Sequence, residues 1–219
     1  MSADPSIPIP AAMAVDKKAW LSKLHISNFH NTYYQYRDAS NLPDVRSILI
    51  IGPGQGLEAA VFRFCGYQVT TYDIDAELKP DIVGSVHRLE AFKNRQFDLI
   101  IASHVLEHLS FSYFGAAISE IARVGKHALI YLPYAGRHMD FRYRGVREFA
   151  LRINIPPFWR ATSLEKPLYA SGQHFWEVGL KGFGRKHIER RIGEHFDIIE
   201  TYQNPDWLVS INFVLRSKN

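Results

Sequence analysis

The amino-acid sequence predicts an α/β domain built on a mostly parallel sheet. Three observations carry this. Short, nearly continuous apolar runs alternate with stretches of helical character, the pattern of strands buried on both faces and joined by crossover helices. The first such run leads into a glycine-rich turn that opens a helix. The last two runs are joined by a short polar link and read as an antiparallel hairpin.

The elements follow in order. Residues 16–36 favour helix, with Trp20, Leu24 and Tyr34 as candidate buried anchors, until Asn41-Leu42-Pro43-Asp44 breaks the chain. Ser47–Ile51 (SILII) is the first strand, and Leu57–Phe64 is a helix that Gly66 is placed to end. Gln68–Tyr72 is a β-branched second strand, Asp81–Val86 a weaker third and Phe97–Ala102 a strong fourth. A helix over 112–123 precedes a fifth strand, Ala128–Leu132, which Pro133 stops. Residues 135–180 are rich in Arg, Pro and aromatics without a clear period, and read as a lid or substrate-binding insertion over the sheet edge. A helix over 185–195 then leads to the hairpin of Phe196–Tyr202 and Ser210–Leu215, linked by 203–209.

With 219 residues, the chain reads as one domain over 16–219, carrying a flexible tail at 1–15 and a helical extension at 16–40. A composition of 47% hydrophobic and 13% aromatic residues excludes global disorder, and this length needs no disulfide or metal staple. The one cysteine, Cys65, cannot form an internal disulfide, which fits a reducing, cytoplasmic setting. No apolar run approaches the ~20 residues of a membrane helix. The opening MSADPSIPIPAAMAV lacks the basic start and long apolar core of a signal peptide. The net charge of +4 is local: Arg137, Arg142, Arg144, Arg147, Arg152 and Arg160 face only Asp140 and Glu148 within 137–160. Such a patch attracts phosphates, nucleic acid or an anionic surface, or is simply a solvated loop.

The turn Gly52-Pro53-Gly54-Gln55-Gly56 has the strand-to-helix context of a nucleotide-type loop. Glycines permit a sharp turn and close ligand approach, and the helix start offers free N–H groups. Asp73, at the end of the second strand, is placed to hold both hydroxyls of a ribose. Leu57 stands where a dinucleotide fingerprint needs its third glycine, and no Gly-Lys-Ser/Thr of a P-loop follows.

Five segments in this order resemble the class I S-adenosylmethionine-dependent methyltransferases, in the branch with a V-L-E-H-L signature (methyltransferase type 11-like). They are ILIIGPGQG (48–56), VTTYDID (69–75), KPDIVGSV (79–86), FDLIIASHVLEHL (97–109) and ISEIARVGKHALIYLPY (118–134). HFWEVG (174–179) is similar to a further element of that branch. The resemblance implies a Rossmann-like seven-stranded, mostly parallel sheet with helices on both faces and an antiparallel C-terminal strand. It implies S-adenosyl-L-methionine as cofactor. Gly52, Pro53, Gly54 and Gly56 would wrap its methionine moiety, Asp73 its ribose, and Ile74 and Val86 its adenine. Ser103 and His104 would face the methyl-bearing sulfur. Many relatives carry an acid where this chain has Ser85.

Methyl transfer is an in-line displacement whose leaving group is a neutral thioether, so the protein mainly aligns the reactants. A base helps when the acceptor is protonated, and the candidates are His104, His108, His174 and Glu177. His108 lies one helical turn on from His104 and reads first as a helix-packing histidine. His174 and Glu177 flank Phe175-Trp176 as a substrate wall with a base, or as a hydrophobic anchor with a capping acid. Tyr33, Tyr34 and Tyr36 offer a second wall or a buried cluster. No Asn/Asp-Pro-Pro-Tyr/Phe loop follows the fourth strand, which favours a small-molecule, sugar or lipid-linked acceptor, with a phosphate-bearing one suited to the arginines.

Two rival classes remain. His104-Val-Leu-Glu107-His108 spells H-x-x-E-H, an inverted zinc-protease motif with Glu107 as base. It leaves the glycine loop and Asp73 unexplained, so the main reading assigns no metal. The other rival is a non-catalytic module gripping RNA or an anionic surface through the 137–160 arginines, with the interleaved Phe141, Tyr143 and Phe149 able to stack on bases.

Overall fold

A computed structural model describes residues 23–143, 149–155, 157, 168 and 174–218. The expected tail over 1–15, and Trp20, lie outside the described residues.

The sheet is assembled around β1 (Ser47–Ile51), which pairs in parallel with β2 (Gln68–Asp73) on one side and β4 (Phe97–Ser103) on the other. β3 (Ile82–Val83) extends it beyond β2, and β5 (Gly125–Pro133) beyond β4, both in parallel. β9 (Ser210–Ser217) then runs antiparallel to β5, with β8 (Phe196–Gln203) antiparallel outside it. The order is β3-β2-β1-β4-β5-β9-β8, the seven-stranded sheet with an antiparallel final strand that the resemblance implies. Ile48–Ile51, Leu99–Ala102 and Ala128–Leu132 are at most 2% exposed, as apolar runs sandwiched between helix layers must be.

Helices cover both faces. On one, α1 (Ile26–Ser40) and α2 (Leu57–Phe64) bring Tyr34, Ala39, Ala59 and Phe62 against Ile48, Ile50 and Leu129. On the other, α3 (Phe114–Val124) and α4 (Arg185–Gly193) bury Ile118, Ile121, Ile188 and Ile192 with Leu49, Ile100 and Ile130. Trp176 is fully buried on this side, its indole N–H donating to the Leu109 carbonyl at 3.1 Å. Phe175 and Trp176 are therefore the hydrophobic anchor of the two readings weighed for that segment.

α1 is tied down by a buried carboxylate. Asp38, 3% exposed, accepts from the Tyr131 hydroxyl at 2.5 Å and the Tyr202 hydroxyl at 2.6 Å, while Arg37 pairs with its other oxygen at 2.6 Å. Burial, then the Asp38 charge, pushes the Tyr131 hydroxyl well above its ordinary range, so it stays a donor. Tyr34 is buried and donates to Asp206 at 2.8 Å; burial and that carboxylate push it up to about 12. Tyr33 and Tyr36 stay exposed, as does Leu24.

Several boundaries differ from expectation. The third strand shrinks to Ile82–Val83, and the Tyr72 ring then occupies the space where a side chain at Gly84 would sit. Two short 3-10 turns, Leu106–His108 and Phe111–Tyr113, follow β4, and the helix expected over 112–123 begins just after them at Phe114. Part of 135–180, read as lacking a period, is an antiparallel hairpin of β6 (Arg137–Tyr143) and β7 (Phe149–Ile155). Its residues do alternate: Met139, Phe141 and Tyr143 pair with Ile153, Leu151 and Phe149, while Asp140 and Arg142 fall between.

Two predictions follow from these anchors. Asp38→Ala removes the acceptor shared by two buried hydroxyls and should cost on the order of 3 kcal/mol in urea unfolding; an unshifted midpoint would show that α1 is held otherwise. Asp98 accepts from Lys126 at 2.7 Å, from the Ser47 hydroxyl at 2.9 Å, and from the Ser47 and Arg46 backbone N–H groups. Burial alone would raise its carboxyl, but these donors hold it well below the usual carboxylate range. With the folded pKa below the unfolded one, this stabilisation is complete above the unfolded value of ~3.9 and fades as pH falls. Asp98→Asn should lose about 1–2 kcal/mol at neutral pH and flatten the acid limb of the stability curve.

Candidate active site

β1 lies where the strand order reverses, so the chain leaves β1 and β4 toward opposite sides and opens a crevice at their carboxyl ends. The glycine loop lines that crevice. Gly52, Gly54 and Gly56 all adopt left-handed backbone, with φ of 68°, 51° and 80°. The Gly52 N–H donates to the Tyr72 carbonyl at 2.9 Å and the Gly56 N–H to that of Pro53 at 2.8 Å, which fixes the turn. A Cβ on Gly52 would collide with Val105, whereas one on Gly56 would meet open space at the start of α2.

Asp73 ends β2 beside this loop. One of its oxygens accepts from the Asp75 N–H at 2.8 Å, and burial raises its pKa against that bond. Ile74 next to it is 43% exposed and available as an apolar wall. Val86 is only 4% exposed and its side chain packs into the core rather than lining an open wall. Half-buried Ser85 and His87 flank it, their side chains 2.7 Å apart.

The end of β4 forms the other wall. The Ser103 hydroxyl accepts from Asn31 of α1 at 2.7 Å. His104 has a left-handed φ of 55°, uncommon outside glycine, while its N–H donates to the Tyr131 carbonyl. Its Nε2 lies 3.1 Å from the Ser210 hydroxyl, its Nδ1 lies 3.5 Å from Glu107, and its ring lies 4.6 Å from that of Trp207.

Below it, Glu107 is completely buried and neither of its oxygens has a hydrogen-bond partner. Burial alone would raise this carboxyl, but the surrounding His104, His108 and His174 outweigh it and hold the pKa below its ordinary value. His174 arrives from the far end of the chain, pinned by the Phe175 N–H donating to the Glu107 carbonyl at 2.9 Å. Its Nδ1 donates to buried Glu177 at 2.7 Å, leaving Nε2 4.0 Å from Glu107. Burial lowers the His174 pKa, but Glu177 and Glu107 together raise it.

His104, His174 and Glu177 thus meet in one cluster, and Glu177 stands behind His174. His104 and His108 do not share a helix face as H-x-x-E-H requires, because His104 is left-handed and lies outside the short 3-10 turn Leu106–His108. Among the described residues, the potential metal-holding group is Glu107, His108 and His174. Asn31, Trp207 and Ser210 escaped sequence reasoning, since each reaches the site from a segment distant in the chain. The Asn-Pro-Asp-Trp turn at 204–207 was the available signal for Trp207. Among the described arginines, Arg142 pairs with Asp140 and Asp206, and Arg152 lies 3.7 Å from Asp140. Arg144, Arg147 and Arg160 lie outside the described residues. No described helix is long and apolar enough to cross a membrane.

A family model described as a methyltransferase domain matches residues 30–173. The chain belongs to this methyltransferase-domain family. Its fold is the one on which S-adenosylmethionine-dependent methyltransferases are built. The N-methyltransferase NodS of Bradyrhizobium japonicum, solved with S-adenosylhomocysteine, aligns at 13% identity over 94% of each chain with TM-score 0.58. The Burkholderia thailandensis 1,6-didemethyltoxoflavin-N1-methyltransferase, solved with its acceptor and S-adenosylhomocysteine, aligns at 15% identity over 100% of this chain and 99% of its own, with TM-score 0.54. The PH0226 protein of Pyrococcus horikoshii aligns at 13% identity over 90% of this chain and 93% of its own, with TM-score 0.58. No curated protein sequence matches the chain.

Gly52 and Gly56 make a paired test of the loop. Gly56→Ala meets only the left-handed strain, about 1–2 kcal/mol. Gly52→Ala adds the collision with Val105 and should lower the melting temperature further. The reverse order would contradict the packing of the loop against Val105.

Proposed function

We propose that the protein transfers the methyl group of S-adenosyl-L-methionine to a small-molecule acceptor, with sugar and lipid-linked molecules within that class. The observation that carries this reading is the crevice itself: three left-handed glycines, open space above Gly56 and the Asp73 carboxylate at the next strand end. The donor set suits a nucleoside with a zwitterionic tail. The loop from Gly52 to Gly56 and the start of α2 would receive the tail, Asp73 the ribose hydroxyls, and Ile74 with the Val86 segment the adenine. When bound, the cofactor supplies an electrophilic methyl on a sulfonium.

The chain's own residues do the rest. Ser103, held by Asn31, and His104, held by Ser210 and Trp207, would shape the wall where acceptor and methyl align. His174, its ring fixed by Glu177 as a positioning residue, would stand beside the acceptor. The rigid wall is the main catalytic device, because holding nucleophile and methyl in line is the chief demand of this displacement. Both enzyme relatives above act at nitrogen, and amine-bearing small molecules head the acceptor screen.

Calorimetric titration with S-adenosylhomocysteine, with NAD as control, tests the first half. Binding should be one-to-one and should weaken by about 1.5–3 kcal/mol in Asp73→Ala, the worth of hydrogen bonds to a charged group; unchanged affinity would sink the ribose assignment. His174→Ala should cut turnover and leave cofactor affinity intact. Full turnover in that variant would remove His174 from the acceptor side.

A further inference from the structure

We infer that Glu107, His108 and His174 form a binding site for one divalent transition-metal ion, with Zn²⁺ the ion this donor set fits best. One ligand atom from each residue lies within 4.8 Å of the others. Two imidazoles and a carboxylate are the donor set of three-ligand zinc sites, with bonds of about 2.0–2.2 Å. The three groups therefore need only a small inward closure around an ion.

Two further observations point to a cation. Glu107 is fully buried, and both its oxygens lack a hydrogen-bond partner. Buried carboxylates ordinarily collect donors, because losing water without replacement is costly. Here the groups facing Glu107 are ring nitrogens at 3.5 Å (His104) and 4.0 Å (His174). A cation among them would satisfy the carboxylate directly. The second observation is behind His174: its Nδ1–H donates to Glu177 at 2.7 Å, which turns Nε2 toward Glu107. A carboxylate fixing the tautomer and aim of a histidine is the usual support of a metal-binding imidazole. The His108 ring closes the group, 5.1 Å from that of His174 and nearly perpendicular to it.

Three protein ligands leave a position open for a water or an oxygen of a second molecule. The His108 N–H donates to the Val105 carbonyl at 3.1 Å, and Val105 fills the space beside Gly52, which sets the cluster next to the glycine loop. The metal site rests on this geometry alone. Only its use, holding an oxygen of the methyl acceptor beside the crevice, rests on the methyl-transfer reading.

The test uses the full chain, stripped with chelator and titrated with Zn²⁺ by calorimetry and with Co²⁺ by visible absorption. One equivalent should bind, with cobalt bands of a four- or five-coordinate site and a raised melting temperature. Glu177→Gln should weaken binding by about 10–100-fold, and His174→Ala and Glu107→Gln by more. His195→Ala, outside the cluster, should bind as the parent does. Folding of each variant is checked by circular dichroism, and His108→Ala replaces any that fails. Absence of one-equivalent binding in folded protein overturns the site, as does binding that His174→Ala and His108→Ala leave unchanged. S-adenosylhomocysteine binding to metal-free protein that takes up no zinc overturns the metal site and keeps the methyl-transfer reading; zinc uptake without S-adenosylhomocysteine binding does the reverse.

Discussion

The central constraint is that β1, β4 and β5 are buried on both faces. Their side chains at 48–51, 99–102 and 128–132 are almost wholly apolar and sealed from water, so polar groups must concentrate where the strands end. The reversal of strand order between β1 and β4 opens the crevice at those ends. Every residue assigned to cofactor or acceptor lies at the carboxyl end of a strand, on a loop leaving that edge of the sheet, or on a segment packed against one. The rigid sheet supplies the precision that in-line displacement demands, and the loops supply the chemistry.

Segments remote in sequence complete the crevice, and each is held by a polar tie as well as by apolar packing. α1 docks through the Asp38 carboxylate shared by Tyr131 and Tyr202, which brings Asn31 to Ser103. The link between β8 and β9 folds around Asn204, whose side-chain oxygen accepts from the Asp206 and Trp207 N–H groups, and this sets Trp207 against His104. The segment after the β6–β7 hairpin is locked by Trp176 in the core and by the Phe175–Glu107 backbone bond, which delivers His174. Three distant pieces thus converge on the 103–108 turn.

That turn concentrates the unusual features of the molecule. His104 is left-handed, Val105 occupies the space a side chain at Gly52 would need, and Glu107 is a sealed carboxylate ringed by imidazoles. Strained backbone and under-bonded buried charge persist only where the surroundings fix them, and they gather at functional sites. The packing of Val105 beside Gly52 also joins the glycine loop to the 103–108 turn.

Local physics made much of this legible in advance. Unbroken apolar runs marked the central strands, glycines marked the turn, and an acid stood at the end of β2, because each depends on its immediate neighbours in the chain. The alternation in β6 and β7 was also present in the residues, but interspersed charges obscured it. Tertiary structure decided the rest. The spelling H-x-x-E-H suggested a helical pair of histidines, yet His104 is left-handed and outside the 3-10 turn that carries His108, whose ring packs on that of His174. No sequence spacing encodes that pairing, since it arises only when the chain beyond the sheet folds back and the Phe175 N–H finds the Glu107 carbonyl.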